Sequence, residues 1–316
     1  MTTAGRGGPE REGTVEASQR ESWIVWSDEA RASDGRATDW IDAVARLTQT
    51  SVPVHRSKHA ATYYWPRPAG GVYVKVYHRY RPMATVKDCV RGSKARRAAR
   101  ASTRLAKAGF HVPRVLAVAE ERRLLGARRA WVATAALQGE PLAARLATLA
   151  GALGRTVERC GYRALLSQKR ALLTALGREV ARLHEAGFVA GDLVPANVWI
   201  AGRGERPEIV LLDHDRTRWS WHRPSWWRAR RNLVQLNRVV LVGVSVTDRL
   251  RVFRTYSETR RWASSEARRR LPWIVAKTTE RRRRFDKITL PDGKPVDFRA
   301  LMRAGGTYDL QSGDSR

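Results

Sequence analysis

The sequence has little cysteine and no long apolar run, and each shortage excludes a class of protein. Its 316 residues include two cysteines, Cys89 and Cys160, too few for a disulfide framework, so we expect both to be reduced. The seven histidines lack the spacing of zinc ligands. The longest apolar run, residues 239–246, is far shorter than the ~20 residues that span a bilayer. A disulfide-rich module, a zinc module and a helical membrane protein are therefore not expected.

Acidic residues are half as frequent as basic ones. Thirty Asp and Glu face 60 Lys and Arg, which gives a formal net charge of +30. Such a charge attracts nucleic acid, anionic lipid headgroups or phosphorylated glycans at long range. Only nine basic residues are lysine, and this skew fits genomic base composition as well as it fits bidentate phosphate binding by arginine. The net charge indicates that a partner is negatively charged, but it does not indicate which class of molecule the partner is.

The densest basic runs alternate with tryptophans. The runs are residues 228–231, 268–270 and 281–284, and the tryptophans among them are Trp219, Trp221, Trp226, Trp227, Trp262 and Trp273. This mixture suits base stacking, a lipid headgroup interface, or a solvated arginine face over core tryptophans. No nucleic-acid-binding module accompanies the charge, so nucleic acid is not expected as a partner. A peripheral contact with an anionic membrane surface and a solvated arginine face are the two interpretations that remain.

The two ends of the chain have little apolar sequence to bury. Residues 1–40 are predicted to be a mostly disordered extension, and residues 303–316 a disordered tail. The first twenty residues have no apolar segment of the kind found in secretory signals. We therefore expect the protein in the cytoplasm, with peripheral attachment at the inner face of the cell membrane.

Between these ends, short strands precede a mostly helical half. Strands are predicted at 52–56, 61–65, 72–78, 115–118 and 131–137, then loosely at 194–200 and more firmly at 209–212. One helix is predicted from Ser93 to about Lys107, ended by Gly109, and a long second helix is predicted to stop at Gly187. The sequence after residue 212 is predicted to be helical. The order predicts an α+β fold of two lobes. The first, 41–138, is a small antiparallel sheet plus one helix, and the second, 139–302, is mostly helical.

One motif is a lysine inside an apolar strand. Val74 and Val76 flank Lys75, so its ammonium should point to the opposite face of the sheet. A strand lysine is usually a surface residue, but one that faces a cleft can neutralise phosphate oxygens.

Two further motifs carry carboxylates. Asp192 and Asn197 have the D-x-x-x-x-N spacing of a kinase catalytic loop, in which the aspartate accepts the proton of the attacking hydroxyl and the asparagine holds magnesium. Asp213 follows an apolar strand, where a carboxylate can bind Mg²⁺ together with substrate phosphates. Each motif alone is also an ordinary turn or capping pattern. All three in this order make coincidence improbable.

The chain resembles the lipopolysaccharide kinases of the protein-kinase-like superfamily, which phosphorylate Kdo or heptose sugars of the inner core. The resemblance covers roughly residues 50–260. The segments that carry it are VYVKVYHR (72–79), SKARRAARASTRLAKAGFHVPRVLAV (93–118), LHEAGFVAGDLVPANVWI (183–200), IVLLDHDRTR (209–218) and RRNLVQLNRVV (230–240).

The resemblance implies a role for each motif residue. Lys75 would contact the α- and β-phosphates of ATP, Asp192 would be the catalytic base, and Asn197 with Asp213 would hold Mg²⁺. The backbone from Ala136 to Gln138 would meet adenine as the hinge.

The sequence departs from the family pattern at three places. The first helix has Ala98 where a glutamate usually pairs with the strand lysine, and Ala190 stands where a histidine often precedes the catalytic aspartate. The glycine-rich phosphate loop is missing, which leaves the turn at residues 57–60, with its backbone N–H groups and Lys58, as the candidate phosphate cover.

Three functions remain open from the sequence. The leading one is an ATP- and Mg²⁺-dependent kinase acting on a sugar hydroxyl of lipopolysaccharide core or a related anionic glycolipid. A protein kinase has a long activation segment that holds an extended peptide. Here only a short stretch separates Asp213 from a helix near Arg228, and this suits a compact or membrane-borne acceptor better than a peptide. The alternatives are a protein Ser/Thr or small-molecule kinase on the same fold, and a non-catalytic kinase-like domain that binds anionic membrane or nucleic acid.

Overall fold

The computed structural model divides the chain into two compact units. The sheet unit comprises residues 1–100 and 114–136, and the helical unit comprises residues 101–113 and 137–316. The residues described are 23–27, 37–57, 59–68, 70–78, 92–123, 126–202, 207–241, 243–284, 287–289 and 295–297.

The sheet unit contains a six-stranded antiparallel sheet with the strand order β1-β5-β6-β4-β3-β2. Its strands are β1 (Trp23–Ser27), β2 (His55–Arg56), β3 (Ala60–Trp65), β4 (Val72–Tyr77), β5 (Val115–Arg123) and β6 (Gly126–Ala135). Strand β4 lies between β3 and β6, so every residue of β4, Lys75 included, is paired on both sides.

Each face of this sheet is covered by apolar side chains of a helix. Helix α1 (Ala37–Thr50) places Trp40 against Trp131 of β6, with ring centroids 6.2 Å apart. Helix α2 (Lys94–Lys107) buries Ala95 and Ala99 on the opposite face, against Val118 and Val132. Alanines on α2 let the helix approach the sheet closely, and this explains why its apolar stripe is made of small residues.

The sheet contains more of the N-terminal sequence than was predicted. Strand β1 and the first residues of α1 fall inside the segment 1–40 that was interpreted as a mostly disordered extension. The prediction missed β1 because it is five residues long and isolated from the other strands in sequence, whereas its stabilising partner β5 lies about 90 residues away. The strand predicted at 52–56 is shorter than expected and comprises only β2.

Five further helices dominate the helical unit. They are α3 (Leu142–Arg155), α4 (Arg159–Glu185), α5 (Trp226–Arg238), α6 (Val246–Thr259) and α7 (Ser264–Arg284). Leu172, Leu176, Val180 and Leu183 are buried on α4 at helical spacings of four, four and three residues, so they lie on one face. This helix ends before Gly187, whose positive φ of 86° suits glycine and where an added Cβ would lie 2.1 Å from the Ser220 carbonyl oxygen.

The described residues of the helical unit also form seven short strands. They are β7 (Glu140–Pro141), β8 (Phe188–Val189), β9 (Val198–Ala201), β10 (Glu208–Leu211), β11 (Arg218–Trp219), β12 (Lys287–Thr289) and β13 (Pro295–Asp297). Strands β10, β9 and β7 form one sheet, β11 pairs with β8, and β12 pairs with β13. The prediction that everything after residue 212 is helical was therefore wrong for β11, β12 and β13. Two- and three-residue strands leave no periodic signal in a sequence.

The two units together confirm the predicted α+β class, with an antiparallel sheet first and a mostly helical part second. In the described part of the chain, no helix combines the length and the apolarity needed to cross a membrane.

Candidate active site

The loop that carries Asp192 runs between β8 and β9. It begins after Val189 and closes in a single 3-10 turn, Pro195–Asn197, immediately before β9. Pro195 suits the start of this turn because its ring fixes φ and it has no N–H to leave unpaired. The strand predicted loosely at 194–200 is therefore this turn followed by β9.

Backbone and side-chain bonds place Asn197 between Asp192 and the strand that leads to Asp213. The Asn197 side-chain nitrogen donates to the Asp192 carbonyl oxygen at 2.9 Å. The Leu212 amide donates to the Asn197 carbonyl oxygen, also at 2.9 Å. Because the nitrogen of the Asn197 amide is used in the first bond, its Oδ1 is the atom that can bind a cation.

Asp213 has a left-handed backbone conformation. Its φ is +58°, uncommon for a residue other than glycine but tolerated by aspartate. The turn is held by His214, which is buried and whose Nε2 donates to the Leu211 carbonyl oxygen at 2.9 Å. Such strain persists only where surrounding contacts enforce it, and it concentrates at functional sites.

The carboxylate of Asp192 is oriented by α5. Gln235 Nε2 donates to Asp192 Oδ1 at 3.1 Å and to the Gly191 carbonyl oxygen at 3.2 Å. Gln235 Oε1 accepts from the Leu193 amide at 3.3 Å. Arg238 lies 3.8 Å from Asp192 Oδ1. With Oδ1 held in this way, Oδ2 is the oxygen that can accept a proton from a substrate hydroxyl.

A second side chain of α5 binds the backbone close to Asp192. Asn232 Nδ2 donates to the Ala190 carbonyl oxygen at 2.8 Å, and Asn232 Oδ1 accepts from the Ala190 amide at 3.0 Å. Asn232 Nδ2 also donates to Gln235 Oε1 at 2.8 Å. Asn232 therefore binds both polar groups of the Ala190 backbone.

Behind Asn232 lies the fully buried His184. Asn232 Oδ1 is an acceptor, so His184 Nε2 carries the proton of their 3.1 Å bond, and Nδ1 accepts from the Tyr256 hydroxyl at 2.8 Å. Burial lowers the pKa of His184 to about 4, against the smaller opposing effect of its bond to Asn232. The imidazole is therefore neutral at physiological pH and part of a hydrogen-bonded chain from Tyr256 to Asp192.

Lys75 occupies the face of the sheet that was predicted. Val74 packs on the face of the sheet that α1 covers. Lys75 is paired with Val132 of the neighbouring strand β6, and Val132 packs on the face that α2 covers. Its Nζ lies 5.3 Å from the ring centroid of Tyr77, two residues along the same strand. The tyrosine ring and the strand pairing hold the ammonium on that face.

The sheet unit supplies a buried carboxylate from a strand. Ala98 is buried within α2. Glu120 of β5 is 1% exposed, and its Oε1 accepts from the Ser93 amide at 2.9 Å. Ser93 Oγ in turn accepts from the Arg96 amide at 3.1 Å. Glu120 and Ser93 therefore cap the first turn of α2.

The remaining predicted site residues belong to the proposed hinge and to the turn at 57–60. The Ala136 amide donates to the Gly71 carbonyl oxygen at 2.7 Å, so a hinge contact with adenine would use the carbonyl of Ala136. Gln138 is exposed. In the turn at 57–60, the amides of His59 and Ala60 donate to Ser57 Oγ at 3.3 and 3.1 Å, which engages two of the donors predicted for phosphate. Lys58 lies outside the described residues.

The ligand set in the helical unit fits a magnesium ion held partly by substrate. Within the ranges described above, no group of three His, Cys, Asp or Glu side chains could hold a metal. Mg²⁺ is commonly bound by one or two protein oxygens, with phosphates and water as its other ligands. Asn197 Oδ1 and the carboxylate of Asp213 meet that requirement.

Comparison with known proteins gives one family and several related folds. The family model of the lipopolysaccharide kinase (Kdo/WaaP) family matches residues 72–256. No curated protein matches the chain by sequence.

Among solved structures, WaaP in complex with acyl carrier protein superposes with a TM-score of 0.58 at 20% identity, over 82% of this chain and 98% of that chain. A Rio2 kinase complex from Chaetomium thermophilum gives a TM-score of 0.40 at 12% identity, over 77% of this chain and 76% of that one. The PknI kinase domain of Mycobacterium tuberculosis gives 0.38 at 17% identity, over 72% and 94%. The WaaP superposition confirms the predicted kinase-like fold.

Proposed function

The chain belongs to the lipopolysaccharide kinase (Kdo/WaaP) family, and from this membership we propose how its residues carry out the reaction. It is an ATP-dependent kinase of a sugar hydroxyl of lipopolysaccharide core, Kdo or heptose, or of a related anionic glycolipid. We propose Asp192 as the catalytic base, Asn197 and Asp213 as the ligands of Mg²⁺, and Lys75 as the cation that binds the α- and β-phosphates of ATP.

The observation that carries the roles of Asp192, Asn197 and Asp213 is the set of bonds that joins Asp192, Asn197 and the residue before Asp213. The acceptor hydroxyl oxygen forms a bond to the γ-phosphorus, the bond from that phosphorus to the β,γ-bridging oxygen breaks, and the hydroxyl proton passes to Asp192 Oδ2. When bound, Mg²⁺ neutralises charge on the β- and γ-phosphate oxygens. Gln235 and Arg238 hold the base, and Asn232 holds the loop.

The acceptor is proposed to be anionic because arginines lie beside the base. Gly191, next to Asp192, accepts a hydrogen bond at its carbonyl oxygen from Arg231 Nη2 at 3.3 Å. A Cβ added to Gly191 would lie 2.2 Å from Cβ of Arg216. Arg216 and Arg231 are both exposed. Guanidinium groups at these positions can bind a phosphate or carboxylate already present on the acceptor sugar.

Transfer of labelled phosphate from ATP to purified core glycolipid tests the roles. Asp192→Asn and Asp213→Asn should each lower kcat by a factor of about 10² or more, since one loses the base and the other a metal ligand. Glu258→Gln, at a surface carboxylate paired with Arg254, is the matched control and should leave kcat unchanged. Undiminished transfer in both aspartate variants would refute the assignment.

Lys75 is tested through nucleotide affinity. Lys75→Met should raise the KM for ATP and reduce the thermal stabilisation by ATP with Mg²⁺, whereas Lys75→Arg, which keeps the charge, should retain part of both. Equal nucleotide binding by Lys75→Met and the wild type would remove Lys75 from the site.

A carrier protein is a second proposed partner. The related WaaP was solved in complex with acyl carrier protein. The helical unit of this chain contains an apolar cavity of about 200 Å³, lined among others by Leu146, Leu176, Leu236, Phe253 and Ile274. A cavity of this kind suits an acyl chain. Retention of acylated carrier protein, but not of the unacylated form, on immobilised protein would support this partner; equal retention of both would not.

A further inference from the structure

Two tryptophans of the helical unit expose most of their surface. Trp221, in the loop after β11, is 86% exposed, and Trp227, in the first turn of α5, is 68% exposed. They are six residues apart, and every other tryptophan whose side chain is described is at least partly buried. Large aromatic side chains are costly to leave in water, and they are enriched where proteins meet lipid headgroups.

Neighbouring groups hold both rings in place. The Trp219 ring lies 4.5 Å from the Trp221 ring, centroid to centroid. The guanidinium of Arg230 lies 3.9 Å from the Trp227 ring centroid and 4.0 Å from that of Trp273. Rings that are already fixed lose little conformational entropy when they bind a surface.

The same segment is positively charged without interruption. Residues 216–247 contain seven arginines and no acidic residue. On the first two turns of α5, Arg228 and Arg231 are exposed beside Trp227, whereas Ala229, Asn232 and Leu233 are buried. We name the exposed side chains Trp221, Trp227, Arg228 and Arg231, which are grouped here because they fall within eleven consecutive residues, the Trp-Arg face.

The Trp-Arg face adjoins the catalytic loop. Arg231 belongs to the face and donates to the Gly191 carbonyl oxygen. Helix α5, which carries three of the four residues, also carries Asn232 and Gln235, which hold Ala190 and Asp192. A surface bound at this face would therefore lie next to the base.

We propose that the Trp-Arg face docks the kinase on an anionic lipid bilayer and so presents a membrane-borne acceptor to Asp192. The occupant follows from charge complementarity: arginines attract anionic headgroups, and exposed tryptophans partition into the headgroup layer. The proposal rests on the proposed function only in taking the acceptor to be held in the membrane. Docking itself requires neither ATP nor transfer, so it can be measured separately.

Sedimentation of the full chain with lipid vesicles tests the docking. Vesicles of one part phosphatidylglycerol to two parts phosphatidylcholine should bind the protein, and vesicles of phosphatidylcholine alone should bind it much less. Trp227→Ala with Arg228→Gln should weaken binding to the anionic vesicles by more than the factor of about five expected from loss of one arginine. Trp221→Ala, at a more exposed ring, provides a second variant that does not disturb Arg230.

The matched control removes the same kinds of group from another surface. Tyr162 and Arg163 are both exposed near the start of α4, and Tyr162→Ala with Arg163→Gln should leave vesicle binding unchanged. A thermal melt of each variant verifies folding. Equal losses in the control and in the Trp-Arg face variants would overturn the proposal, because general charge would then explain binding.

Two further measurements separate docking from catalysis. Transfer to a deacylated, water-soluble core acceptor should be unchanged in Trp221→Ala, whereas transfer to the vesicle-borne acceptor should fall with binding. If the wild type phosphorylates neither the soluble nor the vesicle-borne acceptor, the proposed function fails while docking stands. An oligonucleotide is tested as a competitor of the vesicles. If it displaces them from the wild type and binds the Trp-Arg face variants more weakly, the face would be assigned to nucleic acid and lipid docking would be refuted.

Discussion

The side-chain amide of Gln235 donates to the carboxylate of Asp192 with 3.1 Å between Nε2 and Oδ1. The same side chain binds the backbone on both sides of Asp192, at Gly191 and Leu193. One neutral residue of α5 therefore sets both the position of the loop and the orientation of the proposed base. A glutamine can do this because its amide offers donors on one side and an acceptor on the other.

Gln235→Glu places a second carboxylate against Asp192 with little change of shape. Two carboxylates at this distance share a proton, so the acid limb of the kcat profile should move to higher pH by about one unit or more. The measurement is kcat for phosphate transfer between pH 5 and 9. Loss of stability alone would lower the rate without moving this limb.

Asn237→Asp is the control for Gln235→Glu. It adds the same charge to the same helix, but Asn237 Oδ1 accepts from Arg249 at 2.8 Å and is not bonded to the catalytic loop. Its acid limb should coincide with that of the wild type. An unmoved limb in Gln235→Glu would mean that Gln235 does not act on the base.

Asn232→Leu should uncouple the catalytic loop from α5. The substitution leaves the buried His184 and the backbone of Ala190 without their partners, and we expect the free energy of unfolding to fall by about 2 kcal/mol or more. At temperatures where the variant is folded, kcat should drop while the affinity for ATP is kept. Urea unfolding and single-turnover transfer measure the two effects.

Leu233→Ala is the control for Asn232→Leu, because it lowers the stability of the protein without removing the hydrogen bonds that position Ala190. Leu233 is buried on the same helix, and its truncation should cost about 2–5 kcal/mol through packing alone. If Leu233→Ala lowers kcat of the folded protein as much as Asn232→Leu does, the clamp on Ala190 has no specific role in transfer.

His184 makes stability depend on pH. The unfolded chain takes up this proton near 6.5, whereas burial lowers the pKa in the folded state to about 4. Between these values the unfolded state binds more protons, so the free energy of unfolding falls as the pH is lowered, by at most about 1.4 kcal/mol per unit. His184→Gln removes the titrating group and should flatten this slope.

Urea titrations at intervals between pH 7 and 4.5 measure the slope for each variant. The exposed His222 offers the control, and His222→Gln should follow the wild type. Identical slopes for His184→Gln and the wild type would contradict the lowered pKa assigned to the buried His184.

The sequence could predict the local geometry of the candidate site because its motifs are local. Asp192 and Asn197 belong to one loop, and the asparagine binds the aspartate's own carbonyl oxygen. The alternation around Lys75 is a property of a single strand, and the face it predicts for the lysine agrees with the pairing of β4. For such features the spacing of residues and the geometry of the element are sufficient.

The residues that support the site could not be predicted in the same way. Asn232 and Gln235 act on a loop about forty positions earlier, and a polar residue on a helix carries no sign of its distant partner. Besides the family resemblance of residues 230–240, the sequence offered one signal, the spacing of three between these residues within the apolar stretch NLVQL, which places both on one face of α5. Buried polar side chains require hydrogen-bond partners. Asn232 and Gln235 find theirs in the loop that carries Asp192.

Asp213 combines a proposed metal ligand with an unfavourable backbone, and substitutions should separate the two. Asparagine tolerates the left-handed region, so Asp213→Asn should unfold at nearly the same urea concentration as the wild type while losing transfer. Valine is branched at Cβ and should destabilise the turn at φ +58° by about 1–3 kcal/mol. Comparable losses of stability in both variants would show that the carboxylate, rather than the backbone, holds this turn.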